Sequence, residues 1–136
     1  MNFIFITDLD GTLLGQHDFD FSLIKSEVLN LLDSGYLLVL ASSKTKAEIG
    51  SFCDELGRNV PFIYENGAGA ENFSLFSGCE APPNTYLNPK AIRTDELLTI
   101  WERYISLDLK SRCHFVKDMD SCAQQACLGL GATALE

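Results

Sequence analysis

A short apolar run that ends in two acidic residues most constrains the fold of this 136-residue chain. Residues 2–6 read Asn-Phe-Ile-Phe-Ile, and the polar stretch 7–12 reads Thr-Asp-Leu-Asp-Gly-Thr. β-Branched and aromatic residues followed by polar residues and Gly predict a buried strand that ends in a loop. Because side chains alternate along a strand, Asp8 and Asp10 are expected to leave its end on nearly the same side.

The paired carboxylates of this loop predict a cation or phosphoryl site. Two carboxylates held so close repel each other, and a Mg²⁺ ion removes that repulsion while accepting the oxygen ligands it prefers. A carboxylate at a strand end is also placed to attack a bound phosphoryl group. The spacing alone leaves a second interpretation open, a solvated Asp-rich turn, because such turns are common after strands.

The run Asp8-Leu9-Asp10-Gly11-Thr12, after an apolar strand, resembles the first signature of the haloacid dehalogenase-type phosphatases, DxDGT. The resemblance implies a Mg²⁺-dependent phosphoryl transfer through an aspartyl-phosphate. It implies that Asp8 is the nucleophile and a metal ligand. Asp10 would be the general acid/base and would also hold the metal, through its backbone carbonyl. Thr12 completes the signature and is counted among the phosphate-binding residues.

A second apolar run, 36–41, predicts a strand buried on both faces, as in a parallel sheet covered by helices. Between the two runs, apolar residues recur at helical spacing, with Ser22 as the predicted N-cap and Ser34-Gly35 as the predicted end. The strand–helix–strand order predicts a right-handed βαβ unit.

The stretch 42–45, Ser-Ser-Lys-Thr, follows the second strand and leads into another helix. A hydroxyl and a backbone N–H at such a helix start can hold a phosphate, and a plain N-cap is the alternative. Ser42 stands where the superfamily has its second-signature Ser/Thr. The longer run Ser42 to Glu48 resembles the SSKTxxE segment of the mannosyl-3-phosphoglycerate phosphatases, a branch whose cap follows the third strand. This resemblance implies that Ser42, Ser43 and Lys44 bind phosphate or substrate, with Lys44 facing the substrate's charged part.

A third short strand is predicted at 61–64, and Glu65-Asn66-Gly67-Ala68 after it resembles the substrate-lining stretch of the same branch. Asn66 is the predicted substrate contact and Glu65 a weaker one. The fold expected for the chain is α/β: a partial Rossmannoid parallel sheet flanked by helices, followed by an incomplete α+β cap. Residues 1–68 would be the core part, with three parallel strands and two helices, and residues 69–136 the cap part.

Within the predicted cap part, a hairpin strand is expected at 73–76 and a loop at 79–89, which holds all but one of the four prolines. An amphipathic helix is expected from Thr94-Asp95. Cys113 to Val116 reads as a short strand, and a last helix carries Ala123 and Ala126.

The resemblance covers about half of a family member's length. The family's later core strands carry a Lys and further Asp residues, which implies a phosphatase domain with impaired or no activity as this chain. The alternative function is a non-catalytic binding or oligomerisation module. Without the later strands the edge of residues 2–7 would be bare, which predicts a homodimer or higher assembly that covers it.

The charge balance excludes one class of partner. Ten basic against nineteen acidic residues give a formal net charge of −9, which argues against non-specific nucleic-acid binding but not against a small phosphorylated substrate. The chain shows no signal-peptide pattern and no apolar run long enough to span a bilayer, so no membrane association is expected. Its five cysteines lack CxxC spacing, which predicts free thiols in a reducing cytoplasm and disfavours a zinc site at Cys113 and His114.

Overall fold

A five-stranded sheet organises the first two thirds of the chain in the computed structural model, which describes residues 3–15, 20–75 and 84–128. The strands are β1 Ile4–Thr7, β2 Leu37–Ala41, β3 Phe62–Tyr64, β4 Gly69–Glu71 and β5 Thr85–Leu87. The α-helices are α1 Lys25–Asp33, α2 Lys46–Leu56, α3 Thr94–Tyr104, α4 Leu107–Arg112 and α5 Ser121–Leu128. Single 3₁₀ turns occur at Glu65–Gly67, Phe73–Leu75 and Val116–Asp118.

The strands lie side by side in chain order, β1-β2-β3-β4-β5. β1 pairs with β2 in parallel, and so does β2 with β3, with Leu40 opposite both Thr7 and Phe62. β4 then pairs with β3, and β5 with β4, in antiparallel register. The α/β class predicted from the sequence is thereby confirmed, and the sheet is mixed.

One face of the sheet carries the hydrophobic core. Two successive right-handed crossovers between neighbouring parallel strands place both connecting helices on the same side of a sheet. Accordingly, α1 and α2 contribute to one cluster with the inward residues of β2 and β3. Its buried members include Val28, Leu38, Leu40, Ile49, Phe52, Cys53, Leu56, Phe62 and Tyr64. Phe52 also packs against Phe21, with 4.8 Å between the ring centroids. This core fixes the strand ends that carry the candidate site.

β1 remains open at the edge of the sheet. Its register with β2 sets Ile4 and Ile6 on the face opposite to the core, and neither α1 nor α2 covers that face. Ile4 is 53% exposed and Ile6 69%, and Phe5, on the other face, is 44% exposed. A strand of only apolar residues and Thr is therefore accessible along its edge and on both faces, so the prediction that this strand is buried was wrong.

The chain divides into two compact units between Ala91 and Ile92. In the second unit, Trp101 of α3 packs against Phe115 with 5.3 Å between ring centroids, and Lys110 pairs with Glu102 at 2.7 Å. The division falls later than the predicted boundary after residue 68, because β4 and β5 continue the sheet of the first unit. The assignment of 69–136 to a cap stays a prediction. None of the helices in the described ranges is long and apolar enough to cross a membrane.

Several local predictions were wrong. The segment 79–89, expected to be a loop, contains the strand β5, because residues 85–87 find a pairing partner in β4. Phe73–Leu75 forms a 3₁₀ turn, because Asn72 adopts φ +62° and turns the chain at the end of β4; Phe76 lies outside the described residues. Cys113 has extended backbone angles, but the strand predicted from it finds no partner among the described residues and leads into the turn at Val116. Ser22 does not cap α1, since its N–H and hydroxyl both donate to Asp20 and the helix begins at Lys25.

Candidate functional site

The loop after β1 is anchored by the residue between the two acidic side chains. Leu9 is fully buried, and its carbonyl accepts the N–H groups of Thr12, Leu13 and Leu14 at 2.8–3.1 Å. Asp8 is exposed, and its Oδ1 accepts the Leu9 N–H at 2.7 Å. The buried Leu9 thus holds a tight turn that leaves Asp8 at the surface beside the strand end.

In the turn after β2, the residue that caps the next helix differs from the predicted phosphate-binding residue. Thr45 is the N-cap of α2: its hydroxyl accepts the Glu48 N–H at 3.3 Å, and the Glu48 carboxylate accepts the Thr45 N–H at 2.8 Å. Burial acts to raise the pKa of Glu48, but the bonds from Thr45, with the charge of Lys44, outweigh burial and lower that pKa below its ordinary value. Because this capping box completes the helix start, Ser42 is not needed as a cap.

Ser42 is buried at the end of β2, and backbone bonds hold it there. Its N–H donates to the carbonyl of Ile63 at 3.1 Å, and its own carbonyl accepts the N–H of Asn66 at 3.2 Å. Its Oγ accepts the Lys44 N–H at 3.2 Å. A hydroxyl that accepts one bond still has a hydrogen to donate.

The 3₁₀ turn after β3 has an unusual backbone. Glu65, Asn66 and Gly67 have φ values of +49°, +54° and +95°. A left-handed conformation costs a residue other than Gly roughly 1–2 kcal/mol, although Asn tolerates it better than most. Glu65 is held by its N–H, which donates to the carbonyl of Lys44 at 2.9 Å, while Asn66 is held by the bond to Ser42. Strained backbone of this kind persists where the surroundings over-determine it, and it clusters at functional sites.

These three strand ends surround one cavity of about 340 Å³. It is lined by Asp8, Ala41, Ser42, Ser43, Ile63, Asn66 and Gly67. The structure therefore brings together four of the side chains predicted from the sequence, which come from the ends of β1, β2 and β3. The other lining residues, Ala41, Ile63 and Gly67, were not named as site residues from the sequence, although Gly67 belongs to the stretch predicted to line the substrate side. The Asn-Gly pair is the signal for Gly67, because Gly is favoured where φ is positive.

Four predicted residues lie outside this cavity lining: Asp10, Thr12, Lys44 and the weaker candidate Glu65. Lys44 pairs with Asp10, with 3.0 Å between Nζ and Oδ1, and is 3.9 Å from Glu48. Lys44 is mostly buried, with a side chain 15% exposed, so this cation lies beside the loop after β1. Thr12 borders a separate depression together with Gly11 and Phe21.

The strand ends around the cavity offer few oxygen ligands for a hard cation. The Oδ1 atom of Asp10 is buried and receives no hydrogen bond, so the charge of Lys44 is the contact it has among the described residues. In the part of the chain that the structure describes, no group of three or more His, Cys, Asp or Glu side chains is arranged to hold a metal. Mg²⁺ is commonly bound by one or two carboxylates, with waters and phosphate oxygens as the other ligands. Asp8 and Asp10 fit that pattern.

Known proteins resemble this chain in sequence and in fold. Residues 5–85 match the sequence family of haloacid dehalogenase-like hydrolases. A glucosyl-3-phosphoglycerate/mannosyl-3-phosphoglycerate phosphatase of Persephonella marina is 43% identical over 65 residues, which are 48% of this chain and 24% of the relative. The protein of the same name from Methanococcoides burtonii is 37% identical over 67 residues, 49% of this chain and 25% of its own length.

A solved haloacid dehalogenase-like hydrolase from B. subtilis has a similar fold, with a TM-score of 0.53 at 22% identity. The match covers 80% of this chain and 33% of that structure. The matched part of the chain thus covers only about a quarter to a third of the length of these proteins.

Proposed function

The chain belongs to the haloacid dehalogenase-like hydrolase family, and from this premise we propose that it is a phosphatase-type domain acting on a phosphate monoester. The observation that carries the proposal is the cavity shared by Asp8, Ser42 and Asn66, which are supplied by three neighbouring strand ends. A carboxylate nucleophile and two hydrogen-bond donors around one space are the groups that phosphoryl transfer needs.

In the proposed reaction, a carboxylate oxygen of Asp8 attacks the phosphorus atom and the bond from phosphorus to the ester oxygen breaks. The Leu9 N–H orients Asp8 through its bond to Oδ1. Asp10 gives its proton to the departing alcohol and then takes one from the water that hydrolyses the aspartyl-phosphate. The Ser42 hydroxyl and the Asn66 amide donate to the phosphoryl oxygens.

We assign Asp8 and Asp10 as the residues that would hold a Mg²⁺ ion. When bound, the ion supplies positive charge that offsets the negative charge of the phosphoryl group. Asp8 would contribute its exposed carboxylate and Asp10 its backbone carbonyl, because the Oδ1 atom of Asp10 already contacts the Lys44 ammonium at 3.0 Å.

The proposed substrate class rests on the relatives. The curated relatives are named as phosphatases of glucosyl- and mannosyl-3-phosphoglycerate, compounds that carry a sugar, a phosphate and a carboxylate. From these names we propose a phosphorylated sugar or sugar acid as substrate. Ser43, exposed at the cavity, would contact the same molecule.

The test is hydrolysis of a generic aryl phosphate in the presence of Mg²⁺, with wild type compared with Asp8→Asn. Loss of the nucleophile should lower the rate by about 10³-fold or more. Asp54→Asn, at an exposed carboxylate of α2, is the matched control and should keep full activity. Hydrolysis by Asp8→Asn at the wild-type rate would refute the role of Asp8.

A second function, a binding module without turnover, is favoured by a specific observation. The described residues offer two carboxylates at the site rather than a larger acidic cluster. Calorimetric titration with inorganic phosphate, combined with the aryl phosphate assay, separates the two functions. Phosphate binding without hydrolysis of the aryl phosphate supports the module, and phosphate binding with hydrolysis supports the enzyme.

We also propose that two copies of the chain associate through β1. Phe3, Ile4, Phe5, Ile6 and Tyr36 are between 40% and 69% exposed. At 150–250 Å² per aromatic side chain and less per Ile, these residues offer on the order of 500 Å² of apolar surface per copy. Two copies would bury about 1,000 Å², which is near the minimum for a specific interface.

The distribution of charge favours a second copy of the chain as the partner of β1. Residues 3–7 carry no charge, so two β1 strands can meet without the repulsion expected between molecules of net charge −9. Antiparallel pairing about a two-fold axis satisfies the unpaired backbone groups of both edges at once.

We propose the cytoplasm as the location of the protein. Cys53, Cys113 and Cys122 are free thiols, and the last two are exposed. Exposed free thiols persist in a reducing compartment.

A further inference from the structure

The turn that carries Asn66 into the cavity is held from two sides. On the strand side, its N–H groups bond to the carbonyls of Ser42 and Lys44, as described above. On the other side, the contacts come from a residue that follows β5. Three consecutive positive φ angles do not persist without such restraints, so the second contact bears on the shape of the cavity.

Asn88 supplies this second contact with its backbone and its side chain. Its N–H donates to the carbonyl of Ala68 at 2.8 Å, and its side-chain Nδ2 donates to the carbonyl of Gly67 at 3.1 Å. Its Oδ1 accepts the N–H of Lys90 at 3.0 Å. Because one partner is a donor and the other an acceptor, only one orientation of the amide satisfies both bonds. The side chain is half-buried.

We propose that Asn88 is a positioning residue for the anion site. By holding the Gly67 carbonyl, it keeps the preceding residue, Asn66, in its left-handed conformation opposite Ser42. Asn88 does not line the cavity, so it acts through the turn and not on the ligand. That the ligand is a tetrahedral phosphoryl anion rests on the proposed function, whereas the role of Asn88 in restraining the turn does not.

A matched control lies at the other end of the same strand. Asn84 precedes β5, and its side-chain Oδ1 accepts the hydroxyl of Ser74 at 2.8 Å. Asn84→Ala and Asn88→Ala therefore each delete an Asn side chain beside β5, but only Asn88 touches the turn. A general weakening of the β4–β5 hairpin would affect both variants alike.

Hydrogen exchange of the turn is the first measurement. The amides of Glu65, Asn66 and Ala68 are bonded in the structure, so their exchange reports opening of the turn. Asn88→Ala should speed their exchange by roughly three- to tenfold, as expected for one lost hydrogen bond, while Asn84→Ala leaves it unchanged. Unchanged exchange of the α2 amides reports that both variants are folded. Equal exchange of the turn in the two variants would overturn the proposal.

Binding of inorganic phosphate, measured by calorimetric titration, is the second measurement. Asn88→Ala should weaken binding by roughly three- to tenfold, and Asn84→Ala should bind as wild type does. The isosteric Asn88→Asp should be weakened at least as much, because an oxygen then faces the Gly67 carbonyl. Wild-type affinity in both Asn88 variants would overturn the proposal. If wild type itself does not bind phosphate, the proposed function fails, and hydrogen exchange still decides the role of Asn88.

Discussion

Replacing Ile6 with Ser tests the proposed association of two chains through β1. Ile6 is 69% exposed in the single chain, and fully burying an Ile side chain contributes about 1.5–3 kcal/mol. Covering its exposed part therefore contributes about 1–2 kcal/mol per copy, or about 2–4 kcal/mol in a symmetric dimer. Losing that contribution should weaken the dimer by about 30- to 1,000-fold, at tenfold for each 1.4 kcal/mol. The single chain should keep its stability, because the side chain is largely exposed in it.

Sedimentation velocity over a dilution series measures this effect, and circular dichroism checks that each variant is folded. Wild type at micromolar concentration should sediment with twice the 15.0 kDa mass of one chain, and Ile6→Ser with the mass of one. Leu23→Ser is the matched control, because Leu23 is 89% exposed and lies outside β1. A monomeric wild type at micromolar concentration would refute the reasoning, as would equal weakening by the two substitutions.

Three further outcomes follow from the fold. Glu48→Ala should lower the free energy of unfolding by about 1 kcal/mol near neutral pH, because no side-chain oxygen then accepts the Thr45 N–H of the capping box. Because the folded-state pKa of Glu48 lies below its ordinary 4.5, this contribution is fully present above about pH 4.5 and is lost as the pH falls through the lowered value. Urea titrations measure the difference in free energy of unfolding between wild type and variant, and a larger difference in acid would contradict the prediction. Gly69→Ala should destabilise the chain by about 1–3 kcal/mol in thermal unfolding, because the new Cβ would overlap the buried ring of Tyr64, and an unchanged melting temperature would contradict this. Burial raises the pKa of the Cys53 thiol, so iodoacetamide followed by mass spectrometry should label Cys53 far more slowly than the exposed cysteines, and equal labelling would refute its burial.

Local sequence patterns sufficed for the strands and helices that carry strong signals. Continuous apolar runs located β1 and β2, and helical spacing located α1 and α3, because these signals lie within a few neighbouring residues. The same reasoning predicted strands at 73–76 and 113–116, and both predictions were wrong. Whether such a segment forms a strand depends on a pairing partner elsewhere in the chain, which periodicity does not reveal.

By itself, the sequence determined the α/β class and which residue types follow each strand. The acidic pair directly follows the apolar run of β1 in the sequence, and the hydroxyl group directly follows that of β2. Only the tertiary structure decided that Asp8, Ser42 and Asn66 share one cavity. It also decided that Thr45, not Ser42, caps α2, and that a residue as distant as Asn88 restrains the turn after β3. The physical reason is that these relations depend on hydrogen bonds and packing between strands far apart in the chain, and no local pattern encodes such contacts.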